Sequence, residues 1–228
     1  MKILAVETSG MEASVALAVG DQFVAEQTLD TAGRRNARLL IPAVDKLLKR
    51  SALAPPEIDV VAVSVGPGSF TGLRVGVVFA KTFAWINNTK LIAVDTLQAL
   101  AQRVAPVDCE VTVISDAQRG DAFVNSYQGT EVMEPTGLVR IEPLGTVLAG
   151  LHTHSQSLLT GPGVLHFAEQ LPDSIVTAEA EHRMPRATAL LPSARRLIAK
   201  DQWADPDTLE PVYLRRSYAE ESYRHAPS

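Results

Sequence analysis

Cysteine is almost absent from this chain of 228 residues, because Cys109 is the only one. A single thiol excludes an internal disulfide and a zinc site built from several thiolates. Histidine is also scarce, and none of the five has the HxxxH or HExxH spacing that puts two imidazoles on one helical face. The cysteine and histidine residues therefore give no indication of a metal centre.

Long apolar runs and an excess of basic residues are missing as well. No uninterrupted apolar run reaches the roughly 20 residues that a membrane span needs, and residues 1–6 do not resemble a signal peptide. With 26 acidic and 21 basic residues the formal charge is −5, so affinity for nucleic acid would require a local basic patch. Arg34, Arg35 and Arg38 form one candidate patch. We expect a cytoplasmic protein that does not bind membranes.

What the chain has is a repeated order of short apolar segments. The pattern predicts strands at 2–6, 13–19 and 22–29, a helix at 36–49, a strand at 58–65, a helix at 70–86, a strand at 91–94 and a helix at 96–104. It then predicts strands at 110–115, 121–127 and 131–140, a helix at 143–151, a strand at 157–160 and a helix at 164–171. Another helix at 188–200 and a tail follow.

Two halves with a βββαβα order indicate an α/β protein with two related lobes that face a cleft. We place an N-terminal lobe at residues 1–105 and a C-terminal lobe at 106–228. The tail beyond residue 205 is expected to return to the first lobe.

A glycine-rich segment joins the predicted strand 58–65 to the predicted helix 70–86. Its glycines and hydroxyls allow close backbone approach, and the residues concerned are Gly66, Gly68, Ser69, Thr71, Gly72 and Gly76. One interpretation is an anion site at the start of the helix. The other is a tight turn that needs glycine for its geometry alone.

Polar residues at the ends of two predicted strands are the other candidates for chemistry. Glu7, Thr8 and Ser9 follow the first strand, and Asp116 follows the first strand of the second half. Such positions are suited to phosphate or to a hydrated metal ion, but Thr8 and Ser9 equally fit a local turn. Ser69 and Thr71 have no nearby base in the sequence, so no catalytic residue is predicted.

The two predicted helices of the first half carry more apolar residues than one buried face requires. The helix at 70–86 is apolar on every side, which demands burial on every side. Either the two helices cover each other, or a partner protein covers them. For the second case we predict an interface of Leu40, Val44, Leu47, Val75, Val78 and Phe79.

Four segments in this order resemble the TsaB (YeaZ) family: residues 3–9 (ILAVETS), 66–76 (GPGSFTGLRVG), 116–120 (DAQRG) and 211–215 (PVYLR). The glycine-rich segment is the most specific of them. The resemblance implies a two-lobed fold of the actin, Hsp70 and acetate kinase group, which is related to ribonuclease H. Where many members have a histidine near the start of the first helix, this chain has Asn36, so we expect no metal.

The resemblance also implies a function. Members form a heterodimer with TsaD, which makes threonylcarbamoyladenosine next to the anticodon of tRNAs that read ANN codons, and the ATPase TsaE joins the complex. This chain would then be a non-catalytic subunit that meets tRNA through the complex. Whether it is a homodimer or a monomer when alone stays open. No tightly bound cofactor is expected, although ATP or ADP at the complex interface stays open.

Two other functions stay open at this point. A free-standing small-molecule kinase of the same fold would need a base in the cleft and an adenosine-binding motif, for which 161–163 (GPG) is short. A glycoprotease-like peptidase would need a nucleophile with its base or a metal site.

Overall fold

The computed structural model describes residues 1–29, 36–151 and 157–215. Arg34, Arg35, His152, His154 and His225 therefore lie outside the described residues. None of the helices in these three ranges is long and apolar enough to cross a membrane.

The first lobe is built on a five-stranded sheet of order β3-β2-β1-β4-β5. Its strands are β1 (Lys2–Glu7), β2 (Ser14–Val19), β3 (Gln22–Thr28), β4 (Val60–Gly66) and β5 (Lys90–Asp95). β1, β2 and β3 pair antiparallel, whereas β4 is parallel to β1 and β5 is parallel to β4. Because β1 and β4 are buried on both faces, each face of this sheet needs a cover.

One face of the first sheet is covered by α1 (Asn36–Arg50) and α2 (Phe70–Asn87). Each of these helices follows a strand parallel to β1, so the two helices run in the same general direction. The chain then continues through β5 into α3 (Thr96–Gln102).

The second sheet repeats the same arrangement in a shorter form. Its strands are β6 (Glu110–Asp116), β7 (Asp121–Gln128), β8 (Glu134–Pro135), β9 (Arg140–Pro143) and β10 (Ser157–Thr160). β6 pairs with antiparallel β7 and parallel β10, and β8 and β9 both pair with β7. With α4 (Leu144–Leu151) and α5 (Gly163–His166), this confirms the predicted two-lobed α/β fold.

Two predicted elements of the second half are wrong in extent. The strand predicted at 131–140 is divided into β8 and β9, because Pro135 lacks a backbone donor and Gly137 weakens a strand. The helix predicted at 164–171 is only α5 followed by a 3₁₀ turn at Ala168–Gln170.

The predicted lobe boundary also needs a correction. Residues 106–228 were expected to form the second lobe, but α6 (Leu190–Ala199) packs on the first sheet, on the face opposite α1 and α2. Leu190, Leu191 and Ala194 are buried there against Ile3 and Ile92. The physical reason is that both faces of the first sheet are apolar. Because α1 and α2 cover only one of them, the other face needs α6 as its cover.

The position of α6 generates a stability prediction. Leu190→Ala should lower the free energy of unfolding by about 3 kcal/mol, because the side chain is fully buried and leaves a cavity. Leu165→Ala removes the same atoms from a leucine that is 71% exposed and should cost less than about 0.5 kcal/mol. Urea unfolding of both variants measures the difference; equal values would contradict the packing of α6.

Candidate functional site

The glycine-rich segment leads directly from β4 into α2. Ser69 caps the helix, since its Oγ accepts a hydrogen bond from the backbone N–H of Gly72 at 3.3 Å. The Ser69 N–H is also occupied, because it donates to the carbonyl oxygen of Ser9 at 2.7 Å. The start of α2 is therefore already bound to the protein itself.

The segment is pressed against the end of β1. A Cβ atom at Gly72 would lie 2.0 Å from the carbonyl oxygen of Thr8, and one at Gly76 would lie 2.2 Å from Thr8 Oγ1. Gly68 meets the carbonyl oxygen of Ser9 in the same way, at 2.8 Å. Thr8 Oγ1 donates to the carbonyl oxygen of Gly72 at 2.8 Å. The glycines were predicted to allow another group to approach the backbone closely. In the structure that group is the end of β1 of the same chain.

Gly66 is required for a different contact. Its φ is +124°, which favours glycine, and a Cβ there would lie 2.6 Å from the carbonyl oxygen of Val212. The N–H of Val212 donates to the carbonyl oxygen of Val65 at 2.7 Å. Gly66 therefore makes room for the C-terminal tail beside β4.

Glu7 is fully buried at the centre of this contact. Its Oε1 accepts from the N–H of Ser9 at 2.6 Å, while its Oε2 has no hydrogen-bond partner among the described residues. The hydroxyls of Ser9 and Ser64 are buried beside the carboxyl and, within residues 1–29, 36–151 and 157–215, also lack a partner with hydrogen-bond geometry. Burial raises the pKa of Glu7, against the smaller lowering effect of the neighbouring Ser9 and Ser64. This environment favours a neutral carboxyl group.

Asp116 has other neighbours. Its Oδ1 accepts from the N–H of Gln118 at 2.6 Å and lies 3.7 Å from Nε2 of the half-exposed His166. No hydrogen bond or ion pair joins it to Glu7 in the described part of the chain. Among those same residues no group of three or more His, Cys, Asp or Glu side chains is placed to hold a metal ion. Proximity of Glu7, Thr8, Ser9 and Asp116 to a nucleotide stays a prediction.

The predicted interface residues have very different surroundings. Leu40, Val44 and Leu47 are buried in the core beneath α1, so these three predictions are wrong for a docking surface. The apolar stripe of α1 faces the sheet, and a sequence pattern does not tell which side of a helix meets the sheet. Val75 and Phe79 are half-buried against the same core.

Val78 lies on the opposite side of α2 and is 62% exposed. Sequence reasoning did not select three comparable neighbours: Ile41, Trp85 and Ile86 are all more than half exposed, and Trp85 reaches 80%. We call Ile41, Val78, Trp85 and Ile86 the α1–α2 patch. The sequence did contain a signal for Trp85 and Ile86. A helix that is apolar on all sides must expose the apolar residues that the sheet does not cover.

Comparisons with known proteins agree with this architecture. The sequence model of the family described as TsaD, tRNA N6-adenosine threonylcarbamoyltransferase, matches residues 29–137. The chain is similar to the tRNA threonylcarbamoyladenosine biosynthesis protein TsaB of Escherichia coli, with 28% identity over 96% of each chain.

The Bacillus subtilis protein of the same name is 37% identical, but the alignment spans only 56% of this chain and 56% of that protein. Among solved structures, YeaZ from Pseudomonas aeruginosa superposes with a TM-score of 0.82 at 27% identity, over 93% of this chain and 99% of that one.

The contact between Gly72 and Thr8 generates a prediction. Gly72→Ala should lower the free energy of unfolding by at least about 2 kcal/mol, because the added methyl group collides with a backbone oxygen that has no room to move. Gly145→Ala is the matched control: nothing lies within 4 Å of its position in α4, and alanine there should be neutral or stabilising by up to about 1 kcal/mol. Urea unfolding separates the two. A tolerated alanine at position 72 would contradict the packing described here.

Glu7 generates a prediction of pH dependence. Because its pKa is raised in the folded protein, the folded state keeps a proton that the unfolded chain releases above the ordinary pKa of 4.5. The free energy of unfolding therefore falls as pH rises from 4.5 to the folded pKa. Glu7→Gln cannot ionise, so it removes this pH-dependent fall in the free energy of unfolding. Its side-chain oxygen can still accept the hydrogen bond from the N–H of Ser9. Its stability relative to the parent should rise with pH in urea unfolding series; a difference independent of pH would show that Glu7 is ionised when folded.

Proposed function

We propose that this chain is a non-catalytic subunit of the TsaB (YeaZ) family that binds the TsaD transferase. It is similar to proteins named for threonylcarbamoyladenosine biosynthesis in tRNA. The observation that carries the proposal is the α1–α2 patch on a segment that also matches the transferase family.

The match covers residues 29–137, which contain α1, the glycine-rich segment and α2. A transferase that shares this segment has two helices of its own in the same arrangement. Two related surfaces can pack about an approximate two-fold axis, as identical surfaces do in a symmetric dimer. The same geometry would also allow two copies of this chain to pair when the transferase is absent.

The composition of the patch is suited to such an interface. Trp85 exposes most of its indole, and tryptophan is among the residues that contribute most to binding energy. Val78 lies near the middle of α2, between Trp85 and the capped start of the helix. Basic and acidic side chains of α1, among them the ion pair of Lys49 with Asp45, lie on the exposed side of that helix and suit a polar rim.

A supporting role rather than catalysis is favoured by the state of the polar residues. Glu7 is sealed from solvent, and Thr8 is bound to the glycine-rich segment. A base or metal ligand must be accessible to its substrate, which these two side chains are not. We therefore assign the transfer reaction to the transferase subunit.

Further parts of the assembly follow from the same proposal. The complex includes the ATPase TsaE, acts in the cytoplasm on tRNAs that read ANN codons, and places tRNA on the transferase with Arg38 near its path. This chain alone binds no cofactor tightly, and ATP or ADP binds only where the two subunits meet.

The decisive experiment measures complex formation by light scattering after size-exclusion chromatography of this chain with the transferase from the same organism. The parent chain should form a one-to-one complex. Trp85→Glu and Val78→Glu should each weaken it by roughly 30-fold or more, because they bury a charge in an apolar contact. Modification of tRNA by the reconstituted proteins should fall in parallel.

The control is Leu165→Glu, which adds the same charge at an equally exposed leucine of the second lobe. It should leave the complex and tRNA modification unchanged. Folded Trp85→Glu and Val78→Glu variants that bind as well as the parent would refute the patch as the interface. Failure of the parent to bind would refute the proposal itself.

A further inference from the structure

The tail at 204–215 crosses from the first lobe to the second. It begins beside β5, where the N–H of Ala204 donates to the carbonyl oxygen of Leu91 at 2.8 Å. After a turn, the ammonium group of Lys81 on α2 binds the carbonyl oxygen of Leu209 at 2.9 Å. The pairing of Val212 with Val65 follows. Up to this point the hydrogen bonds described for the tail all join it to the first lobe.

Tyr213 provides the strongest attachment to α2. Its ring stacks on Phe70 with a centroid distance of 4.3 Å and an angle of 27°. The guanidinium of Arg74 lies 4.1 Å from the Phe70 centroid, and its Nε donates to the Tyr213 hydroxyl at 3.0 Å. Stacking, a cation–π contact and a hydrogen bond thus fix one side chain.

Arg215, two residues later, binds the second lobe. Its guanidinium donates to the carbonyl oxygens of Ala117 and Gln118 and to Oδ2 of Asp121 at 3.3 Å. Ala117 and Gln118 belong to the turn between β6 and β7, and Asp121 is the first residue of β7. In this turn Gln118 and Arg119 have φ values of 67° and 59°. Such left-handed backbone is unfavourable for residues other than glycine, and a charged donor shared by two of its carbonyl groups stabilises it.

The lobes are also joined on a second side, beside α3 and α6. There the chain returns from the second sheet to α6, and Arg196 on α6 pairs with Glu134 on β8 at 2.6 Å. Leu97 and Leu100 pack into the core of the second sheet, the Tyr127 hydroxyl donates to Asp95 at 3.0 Å, and the amide of Gln98 donates to the carbonyl oxygen of Met133 at 2.7 Å. One attachment between two rigid bodies leaves a hinge, whereas a second attachment away from it fixes the angle.

We propose that residues 209–215 are a strap that holds the two lobes at one angle, with Tyr213 as its anchor on the first lobe and Arg215 as its latch on the second. The inference concerns the chain by itself and does not depend on the function proposed above. Releasing either end leaves the contacts beside α3 and α6 as a hinge and lets the second lobe move.

The test is a distance measurement between two spin labels by pulsed electron resonance on the full chain. Cys109 is replaced by serine, and the labels are attached to Lys46→Cys on α1 and Glu169→Cys in the second lobe, both exposed positions. The parent should give one narrow distance distribution. Arg215→Ala should widen it roughly twofold, because the second lobe is then attached at only one side.

Tyr213→Ala should also widen the distribution, but by less, because Lys81 and the N–H of Val212 still hold the tail on the first lobe. Since the anchor and the latch act in series, the double variant should add nothing further. Arg215→Lys keeps the charge but loses the forked donor geometry, so its distribution should lie between those of the parent and Arg215→Ala.

Arg140→Ala is the matched control, because this arginine pairs with Glu142 within the second sheet. It should leave the distribution unchanged, and the circular dichroism spectra of all variants should show that each remains folded. Coincident distributions for the parent, Arg215→Ala and Tyr213→Ala would overturn the proposal. So would additive widening in the double variant, because independent contacts and not a single strap would then hold the lobes.

Discussion

The close contact between β1 and α2 determines most of the first lobe. Thr8 occupies the space that side chains at Gly72 and Gly76 would need, and its hydroxyl is bonded to the backbone of the helix. A helix held this close has its rotation fixed. Leu73, Val77 and Ala80 then face the sheet, and Val78 and Trp85 have no core to enter. The exposed patch is therefore a consequence of the glycines.

The same contact limits the chemistry of the site. A glycine-rich turn before a helix binds an anion when its N–H groups point to open space. Here the N–H of Ser69 is bound to Ser9, and the neighbouring carboxyl of Glu7 is fully buried. Enclosure raises the pKa of this carboxyl and favours its neutral form. A buried, neutral carboxyl group is poorly suited to bind a metal ion.

Local patterns predicted the strands and helices of the first lobe because alternation and helical periodicity depend only on neighbours along the chain. The sequence of α1 contains a clear apolar stripe, yet Leu40, Val44 and Leu47 turned out to face the core. Orientation depends on which sheet lies beneath a helix, and no local pattern records that. The position of α6 on the first sheet has the same origin, since it depends on a face left uncovered some hundred residues earlier. The contacts of Arg215 with a distant turn are equally non-local.

The packing on the first sheet, the attachment of the tail and the exposed patch all involve α2. One side of this helix packs on the sheet, Phe70, Arg74 and Lys81 hold the tail, and Val78 and Trp85 are exposed. A rigid helix transmits displacement between its sides, so a protein bound at the patch acts on the same body that anchors the tail. If that protein prefers one angle between the lobes, thermodynamic linkage requires that the same angle favour its binding by the same factor. The size of this coupling is bounded by the free energy that separates the latched and released states.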